Sequence, residues 1–413
     1  MTDYTHLRTE AWKRVSDLGY HISPDKWKDL LDVYENPREY INRLAYELDI
    51  TPPVAFFNPS EKIFTKWSVP MMKVKLLEML GLKIYNWVEE GEARESTSDL
   101  FKIMYPEKAE WVRAYNFFNQ PEDIVFAEVL PVIHTEWTTV QKTFRMYTAG
   151  LDVLGASPFW RYIVEPPKGQ AYVTLDFKSM LPFTIAALSE DDMMLHDLNQ
   201  GIYEHWMNEY SLPKTVVKPM FLKWINGAGA KSMYTYMDQV EFFRTDEELL
   251  SLELWDREYS PMELKNRRQG IVDSIMEEWD NRYKITKTWL HDSATKVLES
   301  HTFNGVKTFK YRRNNMLGAL NIAYQYSEPN LLTAILLQLD NVVHTLHDSL
   351  TIVCAINDID KNVEDVRELV DKECMNLLGL EVPLEIEHVR IAGDTTMRDS
   401  KNPVFYEMMS NVS

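Results

Sequence analysis

VVHTLHDSLTIVCAI, residues 342–356, is the stretch on which the reading of this chain turns. Two apolar arms rich in β-branched residues flank the polar pair Asp348-Ser349. Such arms predict a strand–turn–strand hairpin with Asp348 at its turn and His347 just before it. A control is built into the chain. His291-Asp292-Ser293 repeats the tripeptide inside KTWLHDSATKVL, where the apolar spacing is helical and no strand arms exist. That copy is expected on a solvated helix face, so the hairpin context alone singles out Asp348.

Outward from the hairpin, a second extended run, Ala171-Tyr172-Val173-Thr174-Leu175, ends in Asp176 and passes into helical spacing. A carboxylate at the end of a buried strand is held by the sheet and can face a cleft. Two of them on adjacent strands, Asp176 and Asp348, make an oxygen-rich site for Mg²⁺, a hard cation that keeps substrate phosphates in its shell. Two ions held this way would activate an attacking hydroxyl and neutralise a leaving pyrophosphate. The plainer alternative is that both are turn or cap aspartates.

A third element is PKTVVKPMFLKWINGAGA, residues 213–230. As a helix it places Lys214, Lys218, Leu222 and Asn226 on one stripe at successive i+4 positions, with Val217, Phe221 and Trp224 packed behind. Two lysines one turn apart could hold the phosphates of a nucleotide, and Gly227, Ala228 and Gly229 would let a template approach closely. The alternative is an amphipathic surface helix, and Pro219 threatens a kink.

The rest of the chain fits around these pieces. The first 130 or so residues and the region from about 190 to 300 carry helical spacing, which with the strands predicts an α+β fold whose strands gather in one sheet. The net charge of −19 speaks against a nucleic-acid partner on its face. The basic residues cluster, however, at Lys66, Lys73, Lys75 and Lys83, at Lys214, Lys218, Lys223 and Lys231, and at Lys307, Lys310, Arg312 and Arg313. Acids gather elsewhere, so a basic cleft in an acidic body is expected. Cys354 and Cys374 are too few for a disulfide framework or a zinc site, and no apolar run is long enough for a membrane span. A cytoplasmic protein with no membrane partner is expected.

Taken in order, these elements resemble the polymerase domain of family A DNA polymerases over nearly the whole chain. DFKSMLPFTIAALSEDD looks like that family's first catalytic motif, and RYIVEPPKGQAYVTL is similar to its lead-in. The 213–230 element has the spacing of the fingers-helix motif, LHDSL is similar to the catalytic hairpin, and LGLEVPLEIEHVRIAGD resembles the closing strand. FNPSEKIFTKWSV, LLEMLGLKI and ESTSDLFKI sit where the thumb carries similar motifs. TFRMYTAG resembles a threonine-glycine-arginine segment, and Asn321 with Gln325 resembles a pair that touches the primer–template minor groove.

The resemblance implies a right-hand fold: a helical thumb over 1–130, a palm over 131–194 and 301–413 with an antiparallel sheet, and helical fingers over 195–300. It implies primer extension with deoxynucleotides, two Mg²⁺ on Asp176 and Asp348, and no proofreading domain. Lys214 and Lys218 would steady the triphosphate, with Lys218 donating a proton to pyrophosphate, while Arg145 and His347 position the primer end. The implied partners are a DNA primer–template, nucleoside triphosphates and a separate exonuclease or processivity factor; a phage or plasmid origin fits this architecture.

Five positions depart from the family pattern. Lys214 stands where the fingers motif opens with arginine, and Asn226, a nucleotide contact in this resemblance, where it ends in tyrosine before Gly227. Leu181 stands where a glutamate crowds a ribose 2′-hydroxyl, Leu222 where an aromatic stacks on the nucleotide, and Ser349 where an acid follows the catalytic aspartate. Ser349 and Leu181 keep open a single-subunit RNA polymerase of the phage and mitochondrial type. An inactive, polymerase-like nucleic-acid-binding subunit is the other alternative.

Overall fold

A computed structural model describes residues 5–28, 130–139, 146–149, 151–155, 161, 163–241, 261–300, 302–303, 306–307 and 316–392. Arg145, the three thumb-like motifs, the basic residues Lys66, Lys73, Lys75, Lys83, Lys310, Arg312 and Arg313, and the side chain of Asn321 lie outside them. The chain divides into two compact units. The larger comprises Met1–Tyr20, His134–Gly150 and Pro166–Ala392. The smaller comprises His21–Ile133, Leu151–Glu165 and Gly393–Ser413. Its described part is knitted by an Ile22–Val164 bridge, a 3.0 Å ion pair between Lys26 and Glu165, and a buried Trp27.

The larger unit opens with helix α1 (Arg8–Leu18) and a hairpin of β1 (Trp137–Thr139) and β2 (Met146–Thr148). Strand β3 (Gln170–Phe177) starts from a turn in which Gln170 N–H donates to Pro167 O at 2.9 Å and Gly169 takes φ 82°. That positive φ is where glycine carries no Cβ penalty, in the turn that the Pro-Lys-Gly sequence predicts. Helices follow: α2 (Met180–Ser189), α3 (Asp192–Gln200), α4 (Ile202–Tyr210), α5 (Lys214–Ile225), α6 (Ala230–Glu241), α7 (Pro261–Arg282), α8 (Lys284–Ser300), α9 (Met316–Gln325) and α10 (Ser327–Leu336). The chain then returns as β4 (Val342–Leu346) and β5 (Ser349–Ala355), followed by α11 (Ile359–Leu378) and β6 (Leu384–Ile391).

Short strands outside the main sheet form three separate two-stranded pairs among the described residues, so the strands do not all gather in one sheet as the sequence suggests. The main sheet is antiparallel with strand order β6-β3-β5-β4. Its two inner strands are separated in sequence by the whole helical series, so the sheet brings together residues from either side of it. Val173, Leu175 and Phe177 of β3 and Leu350 and Ile352 of β5 are buried. α11 packs on β3, β5 and α2, supplying Val363, Val366 and Val370 at helical spacing.

The helices have a core of their own. Trp206, Phe221, Trp224, Trp279 and Tyr283 meet mostly edge to face, with centroids 5.2 to 6.1 Å apart. Asp191 sits at the base of this group, 1% exposed. Its carboxylate accepts from Met194 N–H and from Thr286 N–H, each at 3.0 Å, and so caps α3 and ties in the first turn of α8. Asp197 accepts from Arg282 at 2.6 and 2.9 Å and from the Tyr283 hydroxyl at 2.7 Å. Burial pushes the Asp197 carboxyl up, but the hydrogen bonds from Arg282 and Tyr283 outweigh it and hold the group below its usual range.

Candidate active site

The 342–356 stretch is a hairpin. Leu346 pairs with Ser349, so His347 and Asp348 alone make the turn. A two-residue hairpin turn needs a positive φ, and His347 supplies it at 54°. Because a non-glycine residue holds that conformation at some expense, the turn is reinforced by side chains. Thr345 Oγ1 donates to Ser349 O, and Ser349 Oγ donates to Leu346 O, both at 2.9 Å. Ser349 is thereby engaged in the turn itself.

β3 meets this hairpin in a register that sets Asp176 opposite Ser349, and Phe177 N–H donates to the backbone oxygen of Asp348 at 3.0 Å. Asp176 and Asp348, far apart in sequence, are neighbours across one backbone hydrogen bond. Both are half-buried. The Asp348 side chain makes no hydrogen bond or ion pair with a described residue. On the other side of β3, Glu385 of β6 lies opposite Asp176 and pairs with Lys178 at 3.0 Å. Beyond Asp176 the chain turns sharply into α2, through Ser179 at φ 55°.

Among the described residues, no three His, Cys, Asp or Glu side chains gather as metal ligands. The donor chemistry still fits Mg²⁺, which takes one or two protein carboxylates and completes its octahedron with water and substrate phosphate oxygens. Asp176 and Asp348 offer that pair of hard oxygen donors.

Within the 213–230 element Lys214–Ile225 form helix α5, which runs through Pro219 without ending and is capped by Asn226. Val216, Val217, Met220, Phe221, Trp224 and Ile225 are buried, and the opposite stripe carries exposed Lys214 and Lys218 with half-buried Leu222 and Asn226. Both lysines stand over the ring of Tyr203, at 5.9 and 5.8 Å from its centroid. Lys214 is also held by Glu204 at 2.8 Å, a hydrogen bond that keeps the Glu204 carboxyl below its usual range. Lys218 has no carboxylate partner among the described residues. Burial pushes the Tyr203 phenol up, so it remains protonated.

Beyond the helix, Gly227 takes φ 78° and its N–H donates to Trp224 O at 2.8 Å, which closes the last turn. A Cβ placed at Gly229 would meet open space. Leu181 is half-buried and packs against the core, Gln325 is half-buried at the end of α9, and His347 is exposed. Both halves of the Asn226 amide are engaged within the protein. Nδ2 donates to Leu222 O at 2.6 Å, and Oδ1 accepts from the Tyr324 hydroxyl.

Tyr203, Glu204, Lys178, Glu385 and Tyr324 were not found by sequence reasoning. Lys178 follows Asp176 by two residues in the quoted motif and was passed over. Tyr203, Glu204, Glu385 and Tyr324 reach the site by tertiary packing and carry no local spacing signal, the nearest clue being that Tyr203 and Glu204 open α4, the helix before α5. The His291-Asp292 copy lies on α8, with side chains 70% and 59% exposed, as a solvated face requires.

No family model and no curated protein matches the sequence. Among solved structures, the chain is similar to the POL domain of Pol1 from M. smegmatis in complex with DNA primer-template and dNTP. The TM-score is 0.61 over 92% of this chain and 68% of that chain, at 13% sequence identity. No described helix is long and apolar enough to cross a membrane. The α+β polymerase-domain fold expected from the sequence is the fold this chain has.

Proposed function

We propose that this chain is a template-directed DNA polymerase of the family A type that extends a primer 3′-end with deoxynucleotides. The observation that carries the reading is the meeting of Asp176 and Asp348 across the β3–β5 hydrogen bond, in a fold shared with a polymerase domain. In this reading residues 131–194 and 301–413 form the palm, 195–300 the fingers and 1–130 the thumb.

Asp176 and Asp348 would hold two Mg²⁺, which when bound favour the primer 3′-oxyanion and balance charge on the leaving pyrophosphate. Lys214 and Lys218 bind the triphosphate as point charges on one face of α5. Lys218, with no competing carboxylate among the described residues, gives its Nζ proton to the departing pyrophosphate as the bond from the α-phosphorus to the bridging oxygen breaks. Leu181 and Leu222 line the nucleotide by bulk and apolar contact. Arg145 and His347 orient the primer terminus, and Gly227, Asn321 and Gln325 contact the template and the minor groove.

One observation favours a second reading. Leu181, half-buried against the core, brings no carboxylate to the sugar, and Ser349, held in the hairpin turn, replaces the acid after Asp348, so ribonucleotides are the competing substrate. Primer extension on a DNA template with Mg²⁺ decides between them, comparing dNTPs, rNTPs and an Asp176→Ala control. Extension by dNTPs that is absent in the control is expected. Preference for rNTPs selects the RNA polymerase reading, and tight primer–template binding without extension under Mg²⁺ or Mn²⁺ selects a binding-only subunit.

A further inference from the structure

The lysine-bearing helix α5 is tied down at one end by a contact unrelated to its own packing. After Ile225 the chain leaves helical geometry, with Asn226 at φ −82° and ψ 7°. The Asn226 amide then bridges two directions. Its Nδ2 closes back on Leu222 O, and its Oδ1 accepts the Tyr324 hydroxyl. Two backbone bonds complete the same knot: Gly227 N–H to Trp224 O at 2.8 Å and Ala228 N–H to Lys223 O at 2.9 Å. Tyr324 is 1% exposed on α9, one residue before Gln325. A phenol at that depth must have its hydroxyl satisfied, so the bond to Asn226 is stronger than a surface contact of the same length. α9 in turn packs against α2, the helix that issues from the Asp176 strand, and against α8.

The geometry therefore joins the C-terminal end of α5, through α9, to α2, the helix that follows the Asp176 strand. We propose that Tyr324 is a positioning residue for the incoming nucleotide. By holding Asn226 it fixes the end of α5, and so sets where Lys214, Lys218 and Leu222 stand relative to Asp176 and Asp348. The leverage is considerable. A twelve-residue helix is roughly 18 Å long, so a tilt of about 10° at the Asn226 end moves Lys214 by about 3 Å. That is enough to take an ammonium out of contact with a phosphate oxygen. Tyr324 touches no reacting atom and acts only through Asn226. The proposal rests on the polymerase reading above.

The test is a double-substitution cycle of Tyr324→Phe and Asn226→Ala in the full chain. Three quantities are read: KM and kcat for dNTP at saturating primer–template, the primer–template Kd, and amide exchange at Gly227 and Ala228. Tyr324→Phe removes one oxygen from a packed ring, so the fold is retained while the bond is lost. The expected result is a dNTP KM raised about five- to tenfold, with kcat and primer–template Kd within about twofold, and amide exchange about tenfold faster at Gly227 and Ala228. Adding Tyr324→Phe to Asn226→Ala should raise KM little further, because the shared contact is already lost in Asn226→Ala.

A merely structural tyrosine would lower Tm and leave KM in place, and that result overturns the proposal. So do unchanged exchange at Gly227 and Ala228, or KM effects that multiply independently. An active wild type with an indifferent Tyr324→Phe overturns this inference alone. A wild type that extends no primer overturns the polymerase reading, and the nucleotide-positioning role of Tyr324 falls with it.

Discussion

Two pairs of aspartates in this molecule are held in opposite ways. In the helical region Asp191 and Asp197 are buried with both carboxylate oxygens hydrogen-bonded, by two backbone N–H groups in one case and by Arg282 and Tyr283 in the other. At the sheet, Asp176 and Asp348 are fixed through their backbones, by strand register and the Phe177 N–H bond, and both side chains remain half-buried. A carboxylate whose two oxygens are both bonded to other helices or to its own helix end holds helices together. A carboxylate positioned by its main chain, like Asp348 with no described side-chain partner, is placed to receive a cation. Burial alone would have pointed to Asp191 and Asp197; the source of the positioning points to the other pair.

Exchanging members of the two pairs tests this division, and the largest effect is expected at the sheet. Asp176→Ala should reduce single-turnover extension about a thousandfold or more, with Tm little changed, because several kcal/mol of charge stabilisation is lost from a group that supports little packing. Asp197→Asn should do the reverse. Breaking its bonded pair with Arg282 is expected to destabilise the fold by about 2 kcal/mol in denaturant titration, with extension by the folded fraction retained.

The pH dependence separates the pairs again. The Asp197 carboxyl titrates lower in the folded chain than its ordinary 3.8. The stability it contributes is therefore present above that ordinary value and lost as pH falls through the lower folded one. Asp197→Asn should flatten that acid limb, and a limb unchanged in the variant would contradict the assignment.

Smaller effects are expected along α5. Lys218→Ala should raise the dNTP KM about tenfold, and added salt should weaken nucleotide binding less in the variant than in the wild type. Smallest of all, Glu204→Gln should lower that KM about twofold, because it releases Lys214 from an exposed ion pair of modest strength. A higher KM in Glu204→Gln would mean that the carboxylate orients Lys214 rather than competing for it.

What the sequence made legible was what its local period encodes. The 342–356 hairpin, the strand into Asp176 and the amphipathic face of α5 each follow from spacing within about a dozen residues, and each is present in the fold. The contrast between the two His-Asp-Ser tripeptides was equally legible, since strand arms surround one and helical spacing the other. Neighbours made by packing were not. Glu385 comes opposite Asp176 only because β6 returns beside β3, and the bond of Asn226 to Tyr324 joins positions 98 residues apart. Nothing near Asp191 and Asp197 in sequence announces Thr286, Arg282 or Tyr283. Pro219 suggested a kink, yet α5 continues through it, held by the buried row from Val216 to Ile225.

The repeated tripeptide offers the most direct test of the catalytic pair. Asp348→Asn and Asp292→Asn make the same chemical change in the same local sequence, one at the hairpin turn and one on the open face of α8. Single-turnover primer extension should be read for both beside the wild type, with primer–template binding by fluorescence anisotropy as the control for folding. Asp348→Asn is expected to bind primer–template normally and extend it at least about a thousandfold more slowly, while Asp292→Asn matches the wild type within about twofold. Equal activity of the two variants would show that the Asp176–Asp348 pair is not where the chemistry happens.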